Sequence, residues 1–127
     1  MRRRLAFIAL LVGLSSCSLF GERPRYSVYF QPYSAALDGQ AQDTVQHAAS
    51  YAVAHPNRPV FVTGYAAPPD PGKDVDGLSV QRAGAVTKAL TDAGVNANRI
   101  VTTGNGTIDP GAMPNVSVRR VDISFGT

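Results

Sequence analysis

The stretch LSVQRAGAVTKALTDAG, residues 78–94, decides the fold of this 127-residue chain. Its apolar side chains recur three or four positions apart, which places them on one face of an α-helix; they are Ala83, Val86, Leu90 and Ala93. Gly94 is suited to end such a helix, because glycine readily adopts the left-handed conformation common at helix C-termini. We therefore predict a helix over residues 78–93 with one face packed against another layer.

Short stretches rich in β-branched and aromatic residues lie on both sides of this helix and predict strands. The segment before it, 58–64, reads RPVFVTG, and the segment after it, 99–104, reads RIVTTG. Two further strands are predicted at 25–30, which reads RYSVYF, and within 116–125. Gly- and Pro-containing loops are expected between these elements.

A second helix is predicted over 38–54, and it completes the order β-α-β-α-β-β. Its apolar stripe consists of Leu37, Ala41, Val45, Ala48 and Ala52. Two strand–helix–strand units imply helices packed on a sheet, so we expect an α+β (α/β) two-layer sandwich. In the last strand the residues expected to be buried are Val118, Val121 and Ile123.

The N-terminal stretch MRRRLAFIALLVGLSSCSLF has the layout of a secretory signal peptide. A basic run comes first, followed by an apolar run over residues 5–14 and then by small residues. A helix that spans a bilayer needs about 20 apolar residues, so this run is too short for one. We therefore predict a cleaved leader over residues 1–16.

The order Leu14-Ser15-Ser16-Cys17 resembles the lipobox of bacterial lipoproteins. In that family the cysteine receives a diacylglycerol, the leader is cut before it and the new N-terminus is acylated. The resemblance implies that Cys17 is the lipid attachment site and, with Ser18 after it, that the protein is anchored in the outer membrane. Residues 17–24 are then a lipidated tether and residues 25–127 a globular domain.

The charge pattern argues against nucleic acid as a partner. The formal net charge is +3, but Arg2, Arg3 and Arg4 supply that excess, and the rest of the chain has nine basic and nine acidic residues. Cys17 is the only cysteine, which excludes an intramolecular disulfide and a zinc site built on paired cysteines. We expect no metal.

Nothing in the sequence indicates an enzyme or a cofactor. The two histidines, His47 and His55, fall in the first helix and at its end, and neither adjoins a Gly-x-Ser-x-Gly nucleophile motif. The Gly104-Asn105-Gly106 turn follows a strand, but no helix opens after it, as a dinucleotide site would require. We therefore expect a binding protein that holds no cofactor.

The densest polar cluster lies between the second strand and the second helix. It contains Asp70, Lys73, Asp74, Asp76 and Arg82. A guanidinium binds a carboxylate with two parallel hydrogen bonds, and a loop carboxylate can hold an amine. The cluster is therefore a candidate site for a zwitterion; the alternative is a solvated loop beside an ordinary surface arginine.

Four segments of the chain, in matching order and spacing, resemble the OmpA-like domain, the peptidoglycan-associating module of outer-membrane lipoproteins and porins. The most specific is Leu-Ser-x-x-Arg-Ala-x-x-Val-x-x-x-Leu-x-x-x-Gly over 78–94. The others are Tyr29-Phe30 with Ser34 and Leu37, the segment Val60-Phe61-Val62-Thr63-Gly64, and Arg119-Arg120-Val121. The resemblance covers roughly residues 26–125 and implies the fold of the OmpA C-terminal domain.

The resemblance also implies a ligand, the diaminopimelate of the peptidoglycan stem. In that family an aspartate of a Gly-His-Thr-Asp motif binds the amine and the arginine of Leu-Ser-x-x-Arg binds the carboxylate. Arg82 matches the arginine, but Ala67 stands where the aspartate is expected. Two asparagines of the family pattern are replaced by Val75 and Val118.

Two interpretations stay open at this point. In the first, the domain binds peptidoglycan through Arg82, with the amine contact rebuilt by Asp70 or Asp74. In the second, the OmpA-like scaffold has lost this ligand, Tyr65 fills its place, and the lipoprotein serves a structural role or binds an envelope protein. Arg119 is a further candidate for ligand binding, because Arg119 and Arg120 alternate on a strand and one of them faces inward.

Both interpretations place the protein on the periplasmic face of the bacterial outer membrane, lipid-anchored. The first adds a contribution to envelope integrity through non-covalent attachment to peptidoglycan.

Overall fold

A computed structural model describes residues 23–127 of the chain. The predicted leader, the lipid attachment at Cys17 and most of the predicted tether lie outside these residues. The described part contains, in chain order, four strands and two α-helices: β1 Tyr26–Tyr29, α1 Gly39–Ala54, β2 Val60–Ala66, α2 Leu78–Asp92, β3 Ile100–Thr107 and β4 Arg120–Phe125. Short 3-10 helices, Ala97–Arg99 and Asn115–Val118, precede β3 and β4.

The four strands form one mixed sheet in the order β1-β4-β2-β3. Strand β4 runs antiparallel to both of its neighbours, with Val121 opposite Val28 on one side and Gly64 on the other. Strands β2 and β3 are parallel and are connected through α2. The predicted order β-α-β-α-β-β and the two-layer α+β sandwich are therefore confirmed.

The core lies between the sheet and the two helices. The predicted stripe of α1 is buried except for Leu37, which is half-buried against the core. In α2, Ala83, Val86 and Leu90 are buried as predicted, and so are Val118, Val121 and Ile123 near the C-terminus. Alternate residues of β2 and β4 point into this core, as expected of a sheet with one covered face.

Polar side chains form hydrogen bonds with the unpaired backbone groups at both ends of α1. Asp38 accepts a hydrogen bond from the Ala41 amide at 2.8 Å and so caps the N-terminus. At the other end, the Arg99 guanidinium donates to the backbone oxygens of Ala52 at 2.9 Å and of His55 at 2.7 Å. A cation is stabilising at this end, because the helix dipole is negative there and the last carbonyls lack intrahelical partners.

The strand boundaries differ from the sequence-based expectation at several points. Strand β1 is shorter than the predicted 25–30, and β2 and β3 begin at Val60 and Ile100, later than the predicted 58 and 99. The last strand was expected within 116–125, but residues Asn115–Val118 form a 3-10 helix after Pro114 and β4 begins only at Arg120. Strand β2 continues to Ala66, and β3 to Thr107, because their pairing resumes beyond Gly64 after a register shift. The loop before α2 is therefore 67–77.

No helix within residues 23–127 combines the length and the apolar character needed to cross a membrane.

Candidate functional site

A cavity of about 90 Å³ opens where the loop after β1 meets the loop before α2. Its walls come from the loop after β1, the loop before α2 together with the first turns of α2, and the segment before β4. They are lined by Pro32, Tyr33, Ala67, Pro68, Asp70, Val75, Leu78, Arg82, Asn115 and Arg119. The predicted candidates Arg82, Asp70 and Arg119 therefore meet at one place.

Close packing of α2 on the sheet puts Arg82 at this place. A side chain on Gly64 would overlap the carbonyl oxygen of Ser79, and one on Gly104 would lie 2.7 Å from the Val80 amide nitrogen. The Ser79 hydroxyl also accepts a hydrogen bond from the Gly106 amide at 2.8 Å. The first turn of α2 thus lies directly on β2 and β3, and the next turn carries Arg82 into the cavity floor.

The Arg82 side chain is held by three backbone carbonyl groups. Its Nε donates to Ser34 at 2.8 Å, Nη1 to Tyr65 at 3.1 Å and Nη2 to Gln31 at 3.0 Å. The guanidinium carbon also lies 5.3 Å from the centre of the Phe30 ring. With 0% of its surface exposed, Arg82 is the largest fully buried side chain of residues 23–127.

Arg82 nevertheless keeps capacity for a ligand. A guanidinium has five N–H donors, so one on each terminal nitrogen is left after the three carbonyl contacts. Burial, reinforced by the positive charge of Arg119, lowers the pKa of Arg82 to about 10. Arg82 is therefore still a cation at neutral pH, and an anion beside it would relieve the cost of burying this charge.

Arg119 forms another wall of the same cavity. Its backbone oxygen accepts a hydrogen bond from the Phe30 amide at 2.8 Å, and its Nε donates to the Phe30 carbonyl at 3.1 Å. These two contacts tie the start of β4 to the end of β1. The neighbouring Arg120 does not line the cavity. The two arginines do not alternate on one strand, because Arg119 ends the 3-10 helix Asn115–Val118 and β4 begins at Arg120.

Asp70 lies at the cavity wall and is held there by Tyr33, a residue that the sequence analysis missed. The Tyr33 hydroxyl donates to Asp70 Oδ2 at 2.7 Å and accepts from the Asp70 amide at 3.0 Å. We call this pair of hydrogen bonds the Tyr33–Asp70 latch. Tyr33 has a backbone φ of 57°, which is rare for a bulky residue and is found in turns or at strained functional positions.

No signal in the sequence identified Tyr33, because its partner is 37 positions away in the chain. Only the meeting of the two loops brings the phenol to the carboxylate. A tyrosine beside Pro32 in a turn is by itself an ordinary surface feature.

The two other candidates are placed differently. Asp74 accepts a hydrogen bond from the Asp76 amide at 2.8 Å in an exposed turn, and it does not line the cavity. Tyr65 contributes only its backbone oxygen to Arg82; its ring lies 4.8 Å from the Arg120 guanidinium carbon. Arg120 in turn pairs with Asp122 at 3.1 Å. The Tyr65 side chain is therefore not among the groups that fill the cavity.

Two of the three departures from the resembled motif lie in the cavity wall. Ala67 and Val75, which replace the expected aspartate and asparagine, both line it. Val118, at the position of the other asparagine, is buried with 5% of its surface exposed. The cavity wall is therefore more apolar than the motif implies, and Asp70 is the one carboxylate that lines it among the described residues.

The described residues contain no cluster of His, Cys, Asp and Glu side chains suited to a metal ion. His47 is exposed on α1, and the Nδ1 of His55 lies 2.8 Å from the Tyr51 carbonyl oxygen at the end of that helix. Both histidines occupy the helix positions that the sequence predicted.

Comparison with protein-family models gives a match to the OmpA family over residues 29–122, which is most of the chain. This range includes the whole cavity and both α-helices. Comparison with curated proteins gives no match.

Solved structures with the same fold include proteins from three bacteria. The peptidoglycan-associated lipoprotein of Burkholderia pseudomallei is 28% identical, with a TM-score of 0.67 over 79% of this chain and 89% of that chain. The OmpA-like domain of FopA1 from Francisella tularensis is 23% identical, with a TM-score of 0.69 over 80% and 71%. The C-terminal domain of Helicobacter pylori MotB is 23% identical, with a TM-score of 0.69 over 80% and 84%.

Proposed function

The chain belongs to the OmpA family, and from this membership we propose that its domain binds peptidoglycan non-covalently at the diaminopimelate of the stem peptide. In this proposal, the protein is a lipoprotein that is anchored in the bacterial outer membrane through Cys17, and its domain lies on the periplasmic side. Attachment of the membrane to the cell wall would then contribute to envelope integrity. The domain acts by binding and carries out no reaction.

One observation carries this proposal: a single cavity holds the Asp70 carboxylate and the Arg82 guanidinium. The free end of diaminopimelate has one ammonium and one carboxylate group. The planar guanidinium suits the ligand carboxylate, and the loop carboxylate suits the ammonium. Asp70 thereby takes the role that the family assigns to an aspartate at the position of Ala67.

Access to Arg82 requires a small opening of the cavity, because none of its surface is exposed. Tyr33 and Asp70 join the two loops that form the cavity mouth, through hydrogen bonds in an exposed position. The bond from the Asp70 amide contributes about 0.5–1.5 kcal/mol and the bond to the charged carboxylate about 1.5–3 kcal/mol. Both are exposed, so water replaces them when the latch opens and offsets part of this cost. The ligand ammonium competes with the Tyr33 hydroxyl for Asp70, and its carboxylate then reaches Arg82.

The alternative function is an OmpA-like scaffold without the ligand, serving as a structural or protein-binding lipoprotein. The observation that favours it is the set of three backbone oxygens that accept from Arg82. A buried arginine that connects α2 to the loop after β1 and to β2 through these hydrogen bonds stabilises the fold even when no ligand is bound. The two functions differ in what they require of Asp70, which is needed only for binding.

Co-sedimentation with purified sacculi of the diaminopimelate type tests the proposal. The full chain is purified in a non-ionic detergent, together with Asp70→Asn and the matched control Asp74→Asn. Both substitutions remove one negative charge from the same loop, but only Asp70 lines the cavity. A charged hydrogen bond contributes about 1.5–3 kcal/mol, so we expect roughly ten- to a hundredfold weaker binding for Asp70→Asn alone.

Three results would count against this assignment. A wild-type chain that stays in the supernatant would favour the scaffold without ligand. Equal binding by wild type and Asp70→Asn would place the amine contact elsewhere, and a selective loss for Asp74→Asn would move it to Asp74.

A further inference from the structure

Strand β3 forms an open edge of the sheet. Its one neighbour within residues 23–127 is β2, because the strands of the sheet are ordered β1-β4-β2-β3. The pairing of β3 with β2 is regular from Ile100 to Gly104, and a register shift follows before Thr107. Alternate residues of this regular segment therefore point their backbone N–H and C=O groups away from the sheet, where a further strand could accept them.

The edge at β3 carries neither of the residue types that commonly prevent an edge strand from pairing, which are charged residues and proline. Strand β3 reads IVTTGNGT, and all eight of its residues are uncharged. Most of them are exposed, and Val101 has 51% of its surface accessible. The other edge strand, β1, has only four residues, and its Ser27 and Tyr29 share a pocket with the acidic Asp38. Strand β3 is therefore the edge that is better suited to a partner strand.

One side of α2 lies along the same edge. Val80 lies directly on Gly104, where an added Cβ would be 2.7 Å from the Val80 amide nitrogen. One helical repeat further on, the hydroxyl groups of Thr87 and Thr102 share a hydrogen bond at 2.7 Å. Thr91 continues this side of α2, since residues four positions apart on a helix share a face. Small or β-branched uncharged side chains thus border β3 on the helix layer as well.

A second copy of this chain has the chemistry that such an edge accepts. Neither β3 nor the adjoining side of α2 carries a charge, and Lys88 and Asp92 on the exposed surface of α2 form an ion pair with each other at 2.8 Å. A two-fold axis at β3 would therefore bring no unpaired like charges together, and like charges at such a position would be destabilising.

The layer of helices also permits this arrangement. Helix α2 packs on both β2 and β3, and neighbouring strands are about 4.8 Å apart. If two copies of β3 pair, the axes of the two α2 helices lie about two strand spacings apart, or about 10 Å. Packed helices are typically about 8–10 Å apart, so the helices can meet while the strands pair.

We propose that two copies of the chain associate through antiparallel pairing of β3, so that their sheets form one continuous sheet. Opposite residues of an antiparallel pair lie on the same face. With the two-fold axis at the centre of the regular segment, Thr102 lies opposite its own copy and Val101 lies opposite the partner's Thr103. None of the residues that line the cavity belongs to β3, so the inference does not depend on the proposed function.

Disulfide cross-linking of the full chain in a non-ionic detergent tests this pairing. Thr102→Cys is compared with Gln40→Cys, which places a cysteine at an exposed position of α1. Opposite Cα atoms of an antiparallel pair are about 4.5–5.5 Å apart, which is within the range of a disulfide. Both variants keep Cys17, so the wild type measures any background from that residue. We expect Thr102→Cys to form a covalent dimer roughly tenfold faster than Gln40→Cys, because pairing raises the effective concentration of the two sulfur atoms.

Two further variants test the pairing without any change at Thr102. Val101→Cys and Thr103→Cys are oxidised separately and also as an equal mixture that is allowed to exchange subunits before oxidation. Antiparallel pairing places these two cysteines opposite each other only in the mixed dimer. We therefore expect the mixture to cross-link severalfold faster than either variant alone.

A charge on the edge should prevent the association. Thr103→Lys, combined with Thr102→Cys, adds a lysine of each copy to the paired edge, and cross-linking should fall to the rate of Gln40→Cys. Gln40→Lys in the same Thr102→Cys background is the control for the change of net charge and should keep the fast rate.

Three results would overturn the inference. They are equal rates for Thr102→Cys and Gln40→Cys, a mixture of Val101→Cys and Thr103→Cys that reacts no faster than either variant alone, and fast cross-linking that survives Thr103→Lys. Co-sedimentation of the same preparations with sacculi tests the proposed function separately, so either proposal can fail while the other stands.

Discussion

Tyr33 and Asp70 are joined by two hydrogen bonds through a single phenolic oxygen, which donates to Oδ2 at 2.7 Å and accepts from the backbone amide at 3.0 Å. This latch connects the loop after β1 to the loop before α2, directly at the cavity mouth. It positions Asp70, the one carboxylate that lines the cavity among residues 23–127, and it joins the two loops around that cavity. The same contact therefore prepares the site and restricts access to it.

Tyr33→Phe should strengthen binding of sacculi severalfold. The substitution removes the hydroxyl that competes with the ligand ammonium for Asp70. The form in which the Tyr33–Asp70 latch is open is then more populated, and the apparent Kd falls in proportion to that population. Tyr29→Phe is the control, since Tyr29 is also exposed but lies on β1 away from the cavity. Co-sedimentation across a range of sacculus concentrations measures the effect. Weaker binding by Tyr33→Phe would show instead that the hydroxyl holds Asp70 in its binding geometry.

Arg82→Ala should destabilise the fold as well as abolish binding. The carbonyl groups of Gln31, Ser34 and Tyr65 lose their donor, and a buried polar group left without a partner costs about 1–3 kcal/mol. We expect the free energy of unfolding in urea to fall by at least about 2 kcal/mol, with no change for the exposed Arg25→Ala. Unchanged stability would mean that the three contacts have no structural role, and retained binding would place the ligand elsewhere.

Gly64→Ala should lower stability strongly, whereas Gly84→Ala should raise it. The added methyl group at Gly64 overlaps the Ser79 carbonyl oxygen and forces α2 away from β2, at a cost of about 1–3 kcal/mol. Gly84 lies on the exposed face of α2, and no atom is within 4 Å of the place where a Cβ would be added. Alanine there should raise the free energy of unfolding by about 0.5–1 kcal/mol, because alanine favours the helix more than glycine does. Thermal unfolding of both variants measures the contrast. Equal effects of the two substitutions would show that the close approach of α2 to β2 at Gly64 does not contribute to stability.

Arg99→Gln should destabilise the C-terminal end of α1. Arg99 donates to the carbonyl oxygens of Ala52, His55 and Arg58, all near the end of that helix. Loss of these charged hydrogen bonds should cost about 1–3 kcal/mol in urea unfolding. Binding to sacculi below the unfolding transition should not change, because Arg99 does not line the cavity. A matching loss of affinity would indicate that α1 and the site are coupled.

Cys17→Ser should leave an uncleaved precursor without lipid. The proposed modification needs the cysteine sulfur, and serine cannot replace it as the acceptor. The wild-type chain should partition into the detergent phase of a Triton X-114 extract and migrate faster in gel electrophoresis than the precursor. Normal processing of Cys17→Ser, with the same partition, would contradict the lipid attachment.

The positions of the helices and strands could be predicted from the sequence because they depend on local spacing. The apolar residues of α2 recur at the helical period, and Ala83, Val86 and Leu90 are indeed buried. The start of α1 follows from Asp38, a residue type that caps helices. Errors occurred where tertiary pairing decided the boundary, as in the extension of β2 and β3 beyond Gly64 and Gly104.

The site was predictable only in part. Arg82 and Asp70 were proposed as candidates from residue type and spacing, and both line one cavity in the structure. Asp74, four residues from Asp70, was an equally good candidate for the amine contact in the sequence. In the structure it lies in an exposed turn, where it accepts a hydrogen bond from the Asp76 amide. Tyr33 was not found at all, since its role depends on a contact between two loops.

The sequence by itself determined the class of fold, the family and Arg82 as a candidate ligand-binding residue, since periodicity and motif spacing are properties of neighbouring residues. Only the tertiary structure decided which carboxylate lines the same cavity as that arginine, which of Arg119 and Arg120 lines it, and that Tyr33 bonds Asp70 at its wall. These are relations between segments as much as 89 positions apart, as between Phe30 and Arg119. Such contacts depend on how strands and loops pack in space, and no local pattern encodes them.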